Sequence, residues 1–264
     1  MDPLRSRVLN ARARLGRRHR FFLQLFLVCV LLMVSYTLPQ PLRHLSTVGQ
    51  VLMVVLLIKH LGEPITFPAT SRVSDCLYRA LGVLALMAQA TWFLTPLSFA
   101  KTGMPLLVLW SLFVTWSTLR LVHLLGQETV VNGQVLMGAA AGYLMLGLTA
   151  GLLLSVLETV HPGSFTSVHN EGGQLLVPRL RGGLAPVQVW ELDFVRLNYF
   201  AFVSLTTVGY GDILPVTPVA QIASVSFSVI GPFYLAVVMG LLISRFTIQE
   251  ANQGKDNRSG DGEH

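Results

Sequence analysis

The chain has 264 residues, of which 52% are hydrophobic and 12% charged, with a mean hydropathy of +0.60. Soluble domains carry about 25% charged residues, so half that share argues against a water-soluble domain and for a chain built to sit in a bilayer. The net charge of +6 does not point to nucleic acid either, because seven of the nineteen basic residues are arginines confined to Arg5–Arg20, directly before an apolar run.

The first predicted element is that run, Phe21–Leu38. A basic start before an apolar stretch is also the pattern of a cleaved leader. This one is long for a leader, and "SYTLPQP" offers no small-x-small cleavage site, so a retained first helix is expected. Cys29 and the later Cys76 form neither a disulfide framework nor a CxxC pair and are read as packing residues. A crossing helix needs roughly 20 apolar residues. Further spans are expected at Thr47–Leu61, Arg79–Leu97, Met104–Leu125, Val130–Leu157 and Pro218–Ile248, six in all with the first. Six spans put both termini on one side. A cytoplasmic N-terminus then places Lys59, Arg72, Arg79, Arg120, Arg245, Lys255 and Arg258 inside with the N-terminal cluster. Only Arg43, Lys101, Arg179, Arg181 and Arg196 are left outside, as the positive-inside rule requires.

The fourth span, "MPLLVLWSLFVTWSTLRLVHLL", holds one arginine, Arg120, with His123 beyond it. A voltage sensor needs several charges, since each contributes only about 2.3 kcal/mol per 100 mV. The second span has no acid to pair with moving charge, and Asp75 is the nearest candidate. Residues 21–125 are therefore expected to form a sensor-like four-helix domain without its arginine array. His123 is read as a bystander. In the fifth span "GAAAG" (Gly138–Gly142) and "GLTAG" (Gly147–Gly151) are small-residue faces for close helix packing. The stretch from Glu158 to Leu192, rich in Gly, Pro and polar residues, reads as an extracellular loop.

"DFVRLNYFAFVSL" (Asp193–Leu205) follows and is too short to cross a bilayer. After it come "TTVGYGD" (Thr206–Asp212) and two prolines, Pro215 and Pro218, that restart the chain into the last span. A segment that dips in and returns is a re-entrant loop, and irregular backbone survives at that depth only where it lines water or is buried in protein. A run of carbonyls contributed by several subunits replaces an ion's hydration shell without charged side chains. Gly209 and Gly211 permit the positive φ that lets successive carbonyls aim inward. The competing reading of "GYGD" as an ordinary turn leaves the preceding short helix and the following long one unexplained.

The seven residues resemble the selectivity filter of potassium channels. The layout resembles six-transmembrane, single-pore-loop potassium channels of the voltage-gated-like superfamily, its short prokaryotic members above all. The resemblance implies an all-α membrane protein with a re-entrant pore helix and filter between helices 5 and 6, assembled as a tetramer. It implies K⁺ ligation by the carbonyls of Thr207, Val208, Gly209 and Tyr210 and by the Thr207 hydroxyl, with Thr206 and Gly211 setting the loop's shape. Asp212 would bond an aromatic donor on the pore helix. The family's tryptophan pair aligns with Tyr199 and Phe200, of which only Tyr199 has a donor, so a thinner brace and a filter that collapses in low K⁺ are expected. Gly231, followed by Pro232, matches the hinge glycine of the inner helix. Glu158 matches an acid that holds the outer mouth.

The expected divisions are a basic cytoplasmic N-terminus (1–20), the four-helix domain (21–125), the pore domain (126–248) and a short cytoplasmic tail (249–264) taken as disordered. The expected function is passive, K⁺-selective conduction, weakly or not voltage-dependent, by a homotetramer in the cell membrane, a prokaryotic inner membrane by resemblance. K⁺ is the permeant ion and no cofactor is expected. No nucleophile–base pair, phosphate loop or metal cluster suggests an enzyme. Two alternatives stay open: a silent regulatory subunit of a heteromeric channel, and a subunit of a K⁺ transporter. The N-terminal arginines either set topology alone or also contact anionic headgroups.

Overall fold

The computed structural model describes residues 3–36, 44–62, 71–94, 104–128, 130–167 and 194–260. Eight α-helices follow in chain order among them: α1 Pro3–Ser35, α2 His44–Leu61, α3 Ser71–Leu94, α4 Met104–Gly126, α5 Gly133–Val160, α6 Phe194–Leu205, α7 Pro218–Tyr234 and α8 Gly240–Gly260. Five π-helical residues, Leu235–Met239, join α7 to α8. Two short strands, β1 Phe165–Ser167 and β2 Ile213–Pro215, pair antiparallel with Phe165 opposite Pro215.

Local chemistry explains where α5 and α7 begin. Asn132 sits in extended backbone and its side chain accepts the Val135 amide, capping α5. Thr217 caps α7 in the same way through Ala220, and Pro218 follows at the first helical position, where a missing N–H costs nothing. α1 begins before the apolar run and carries the basic segment on the same helix.

α5 is the central post. α1, α4, α6 and α7 all pack on it, and α2 and α3 complete the bundle against α1 and α4. A large apolar core joins Phe21, Phe22 and Leu25 of α1 to Leu57, Phe113, Leu121 and Met145. A second, smaller core gathers Leu154, Phe165, Leu197, Phe200 and Ile213 beside α6. The glycines of α5 permit these approaches. A Cβ on Gly138 would collide with Phe22 and one on Gly147 with Phe202, the use expected of small-residue faces.

Three helical stretches have the length and composition to cross a membrane: Pro105–Gly126, Gly133–Val160 and Pro218–Ala251. The apolar parts of α1 and α2 within the described residues, His19–Ser35 and Val48–Leu61, are shorter, as is α6.

Two expectations are corrected. The tail after Gln249 continues α8 to Gly260 instead of being disordered; a formed helix extends without a new nucleus, and no proline intervenes. Cys76 is exposed on α3, so only the buried Cys29 is a packing residue. Most of the long loop, residues 168–193, and the side chains of Arg5–Arg18 lie outside the described residues.

Candidate functional site

α6 delivers the chain into the segment Thr206–Asp212 and supplies its backbone partners. The last carbonyls of a helix have no intrahelical donor. Here the amides of the next turn fill that need. Thr206 N–H donates to Phe202 O at 2.9 Å, Thr207 N–H to Ser204 O at 3.0 Å, Val208 N–H to Val203 O at 3.0 Å and Gly209 N–H to Val203 O at 3.4 Å. The Thr206 hydroxyl adds a bond to Phe202 O at 2.7 Å. With its amides turned back onto α6, the segment presents its carbonyls the other way. Among the described residues no hydrogen bond ends on the carbonyls of Thr207, Val208, Gly209 or Tyr210.

The sign of φ alternates along the segment. Thr207 and Gly209 stand at φ 60° and Gly211 at φ 77°, with the residues between them at negative φ. Such alternation gathers amides on one side of the backbone and carbonyls on the other. For the glycines this conformation carries no steric penalty. For Thr207, a β-branched residue, it is a strained state of the kind that collects at functional sites.

The side chains around the segment divide by direction. The Tyr199 ring lies parallel to that of Tyr210, with centroids 6.4 Å apart. The Tyr199 hydroxyl interacts with the Asp212 carboxylate. Tyr199, Tyr210 and Asp212 therefore form one cluster. Phe200 points the opposite way, buried in the smaller core with its ring 5.3 Å from that of Phe165. Of the two aligned aromatics, Tyr199 lies beside Asp212 and Phe200 packs in the smaller core.

Near the C-terminal flank of the segment stands Glu158, fully buried. Its Oε1 accepts the Gly163 amide at 2.9 Å and its Oε2 the Phe165 amide at 3.0 Å. Phe165 opens β1, and β1 pairs with β2, the three residues directly after Asp212. Ser164, between the two donors, accepts the Val216 amide at its carbonyl at 2.7 Å, and Thr217 donates to its Oγ at 3.3 Å. The carboxylate thus reaches the segment's far flank through a strand. No periodicity in the loop announced that strand, and its three residues are too few to show alternation.

On the N-terminal side of the segment, Gly231 of α7 faces the α6 C-terminus so closely that a Cβ would strike the Leu205 carbonyl. Tyr143 Oη lies 3.5 Å from the same oxygen. Tyr234 Oη donates to Ala139 O at 2.7 Å and fastens α7 to α5. Pro232 lies inside α7, and the π-helical residues follow it. Sequence reasoning singled out Gly231 and Pro232 but not Tyr143 or Tyr234, whose value lies in reaching carbonyls of other helices.

Far from this segment, Arg120 of α4 is caged. It pairs with Asp75 at 2.8 Å and donates to Leu61 O and Ser74 Oγ at 2.9 Å each. Its guanidinium also lies 4.4 Å from the Tyr78 ring centroid and 5.6 Å from that of Trp116.

Residues 173–248 match the family model described as an ion channel. Over 46 residues the chain is 44% identical to two pore potassium channel c of Oryza sativa subsp. japonica, a stretch that covers 17% of this chain and 10% of that protein. The chain thus matches about a tenth of that relative's length.

Proposed function

We propose that the chain is the subunit of a K⁺-selective channel, in which four copies bring their Thr206–Asp212 segments around one axis. The observation that carries this reading is the backbone of that segment: amides spent on the end of α6, alternating φ, and four successive carbonyls without a donor. In a tetramer the carbonyls of Thr207, Val208, Gly209 and Tyr210 stack as rings that replace the water around a dehydrated K⁺. The C-terminus of α6 adds the negative end of a helix dipole at the inner side, which favours a cation there. Match to an ion-channel family over residues 173–248 and likeness to part of a potassium channel support the same reading.

On this reading the chain crosses the membrane six times with both termini in the cytoplasm, conducts passively, and uses Tyr199 with Asp212 and Glu158 with β1 to hold the filter's outer half. The caged Arg120 favours weak or absent voltage dependence. The test is the reversal potential of purified protein in planar bilayers under opposed K⁺ and Na⁺ gradients. A reversal near the K⁺ potential is expected. Clear currents reversing near zero would overturn selectivity, and protein that reconstitutes yet passes no current alone would favour the regulatory-subunit alternative.

A further inference from the structure

α5 and α6 meet along one stripe of residues. Tyr143, Gly147 and Gly151 are spaced four apart and so share a face of α5. Opposite them, in reverse order, stand Leu205, Phe202 and Asn198 of α6. Tyr143 Oη lies 3.5 Å from Leu205 O. The Phe202 ring occupies the place of a side chain on Gly147, and the Asn198 amide does the same on Gly151. Two bare glycines that receive two side chains four apart fix how far α6 slides along α5 and how it is turned.

The contact at Asn198 is the one that apolar packing does not account for. The residue is 5% exposed, and its Oδ1 is buried without a hydrogen-bond partner. Its Nδ2 donates to Phe194 O at 2.8 Å, one turn back on α6, and this bond turns Oδ1 onto Gly151. A buried acceptor left unpaired is costly. No room for a ligand lies beside it, since a Cβ on Gly151 would already collide with Oδ1. What the amide gains is close approach. Carbon and oxygen in a Cα–H···O contact settle at about 3.3–3.6 Å, whereas two carbon atoms settle at about 3.5–4.0 Å. An oxygen tip seated on a bare Cα therefore holds α6 nearer to α5 than a methyl tip would.

We infer that Asn198 is a positioning residue for the candidate filter: keyed onto Gly151, it sets the register of α6 on α5 that Thr206–Tyr210 inherit. The inference rests on the channel reading, because it gives that register a consequence for ion selectivity. Transmission is direct. The amides of Thr206 to Gly209 are bonded to the carbonyls of Phe202, Val203 and Ser204, so a slide or rotation of α6 carries the segment's backbone with it. Tyr143, at the other end of the stripe, meets the last carbonyl of the helix and limits the slide there. Functional constellations have to be held within about 0.5 Å, and rings of carbonyls replace a hydration shell through their placement alone.

The experiment compares the full-chain wild type with Asn198→Ala, Gly151→Ala and the double variant, in two measurements. Thermal midpoints in detergent read the contact without conduction. Gly151→Ala is expected to lower the midpoint, because its Cβ meets Oδ1, and adding Asn198→Ala is expected to recover most of that loss. Reversal potentials in planar bilayers read the positioning. Since a misplacement of about 1 Å can cost on the order of a hundredfold at a reacting centre, Asn198→Ala is expected to lower the K⁺-over-Na⁺ permeability ratio by at least about threefold. The double variant should stay as low, because alanine at 198 has no amide to bond Phe194 O or to seat on Gly151. A double variant no more stable than Gly151→Ala would overturn the contact. A ratio within about threefold of wild type in Asn198→Ala, or one restored in the double variant together with the midpoint, would leave Asn198 filling space and overturn its positioning role. Should Gly151→Ala fail to assemble, Asn198→Ala, which only shortens a side chain, decides by its ratio. A wild type that is not K⁺-selective while the midpoints respond as expected would sink the channel reading, and the positioning role with it, and leave the contact standing.

Discussion

Thr207 and Glu158 show two ways in which single residues shape the candidate filter. A β-branched residue at φ 60° is strained by roughly 1–3 kcal/mol, and the four amide bonds onto α6 hold it there. In "TVGYG" the glycines at positive φ were legible, whereas the positive φ of Thr207 was not, because a β-branched residue does not announce it. Glu158 was legible only as a position. Its partners are the amides of Gly163 and Phe165, and nothing in a Gly- and Pro-rich loop signals a strand of three residues. Replacing Glu158 by Gln keeps the shape but turns one buried acceptor into a donor facing a backbone N–H. The expected cost is about 2–3 kcal/mol, read as a lower thermal midpoint of the assembled protein. The consequence for conduction separates bracing from simple packing. Currents of Glu158→Gln should decline faster than wild type when external K⁺ is withdrawn, because β1 no longer anchors the residues after Asp212. Equal stability of the two currents in low K⁺ would reduce Glu158 to a packing residue.

Among the elements, α4 makes the clearest quantitative case. One charge crossing the whole field gains about 2.3 kcal/mol per 100 mV. Pulling Arg120 from its cage would break a pair whose side chains are each 11% exposed, a loss of about 3–5 kcal/mol when one partner of a buried pair is removed. On the proposed channel reading the cage would outweigh the field, and α4 would act as a fixed wall of the bundle. The Arg120→Gln variant is therefore expected to keep the conductance–voltage slope of wild type while its thermal midpoint falls; a clear flattening of that slope would return α4 to the role of sensor. Sequence reasoning found the single arginine and named Asp75, since both are charges in apolar surroundings. It missed Leu61 O, because a backbone acceptor has no signature. It missed the π-helical turn for a related reason: Leu-Ala-Val-Val-Met suits a regular helix as well as an irregular one.

For the molecule as a whole, hydropathy revealed that helices enter a membrane but not which of their faces meet lipid and which meet protein, since both are apolar. The inner helix shows the ambiguity. Only 17% of its apolar window is buried within the chain, against 56% for α5, and Ile222, Val225, Val229 and Phe233 remain uncovered. Lipid alone would satisfy that face. It would not satisfy the filter segment, where Val208 is 52% and Tyr210 71% exposed beside carbonyls that have no donor. Unpaired backbone carbonyls facing hydrocarbon cost several kcal/mol each, so the segment is untenable in a bilayer as a single copy. On the proposed channel reading, one loop per chain and rings of four carbonyls would need four chains. Native mass spectrometry from detergent should accordingly give a species of four times the 28.9 kDa chain mass. Tyr199→Phe, made outside the carbonyl rings, should assemble to the same mass with poorer K⁺ selectivity. A dimer or monomer that still conducts K⁺ selectively would refute the four-fold filter, because two such loops cannot close a ring around the ion.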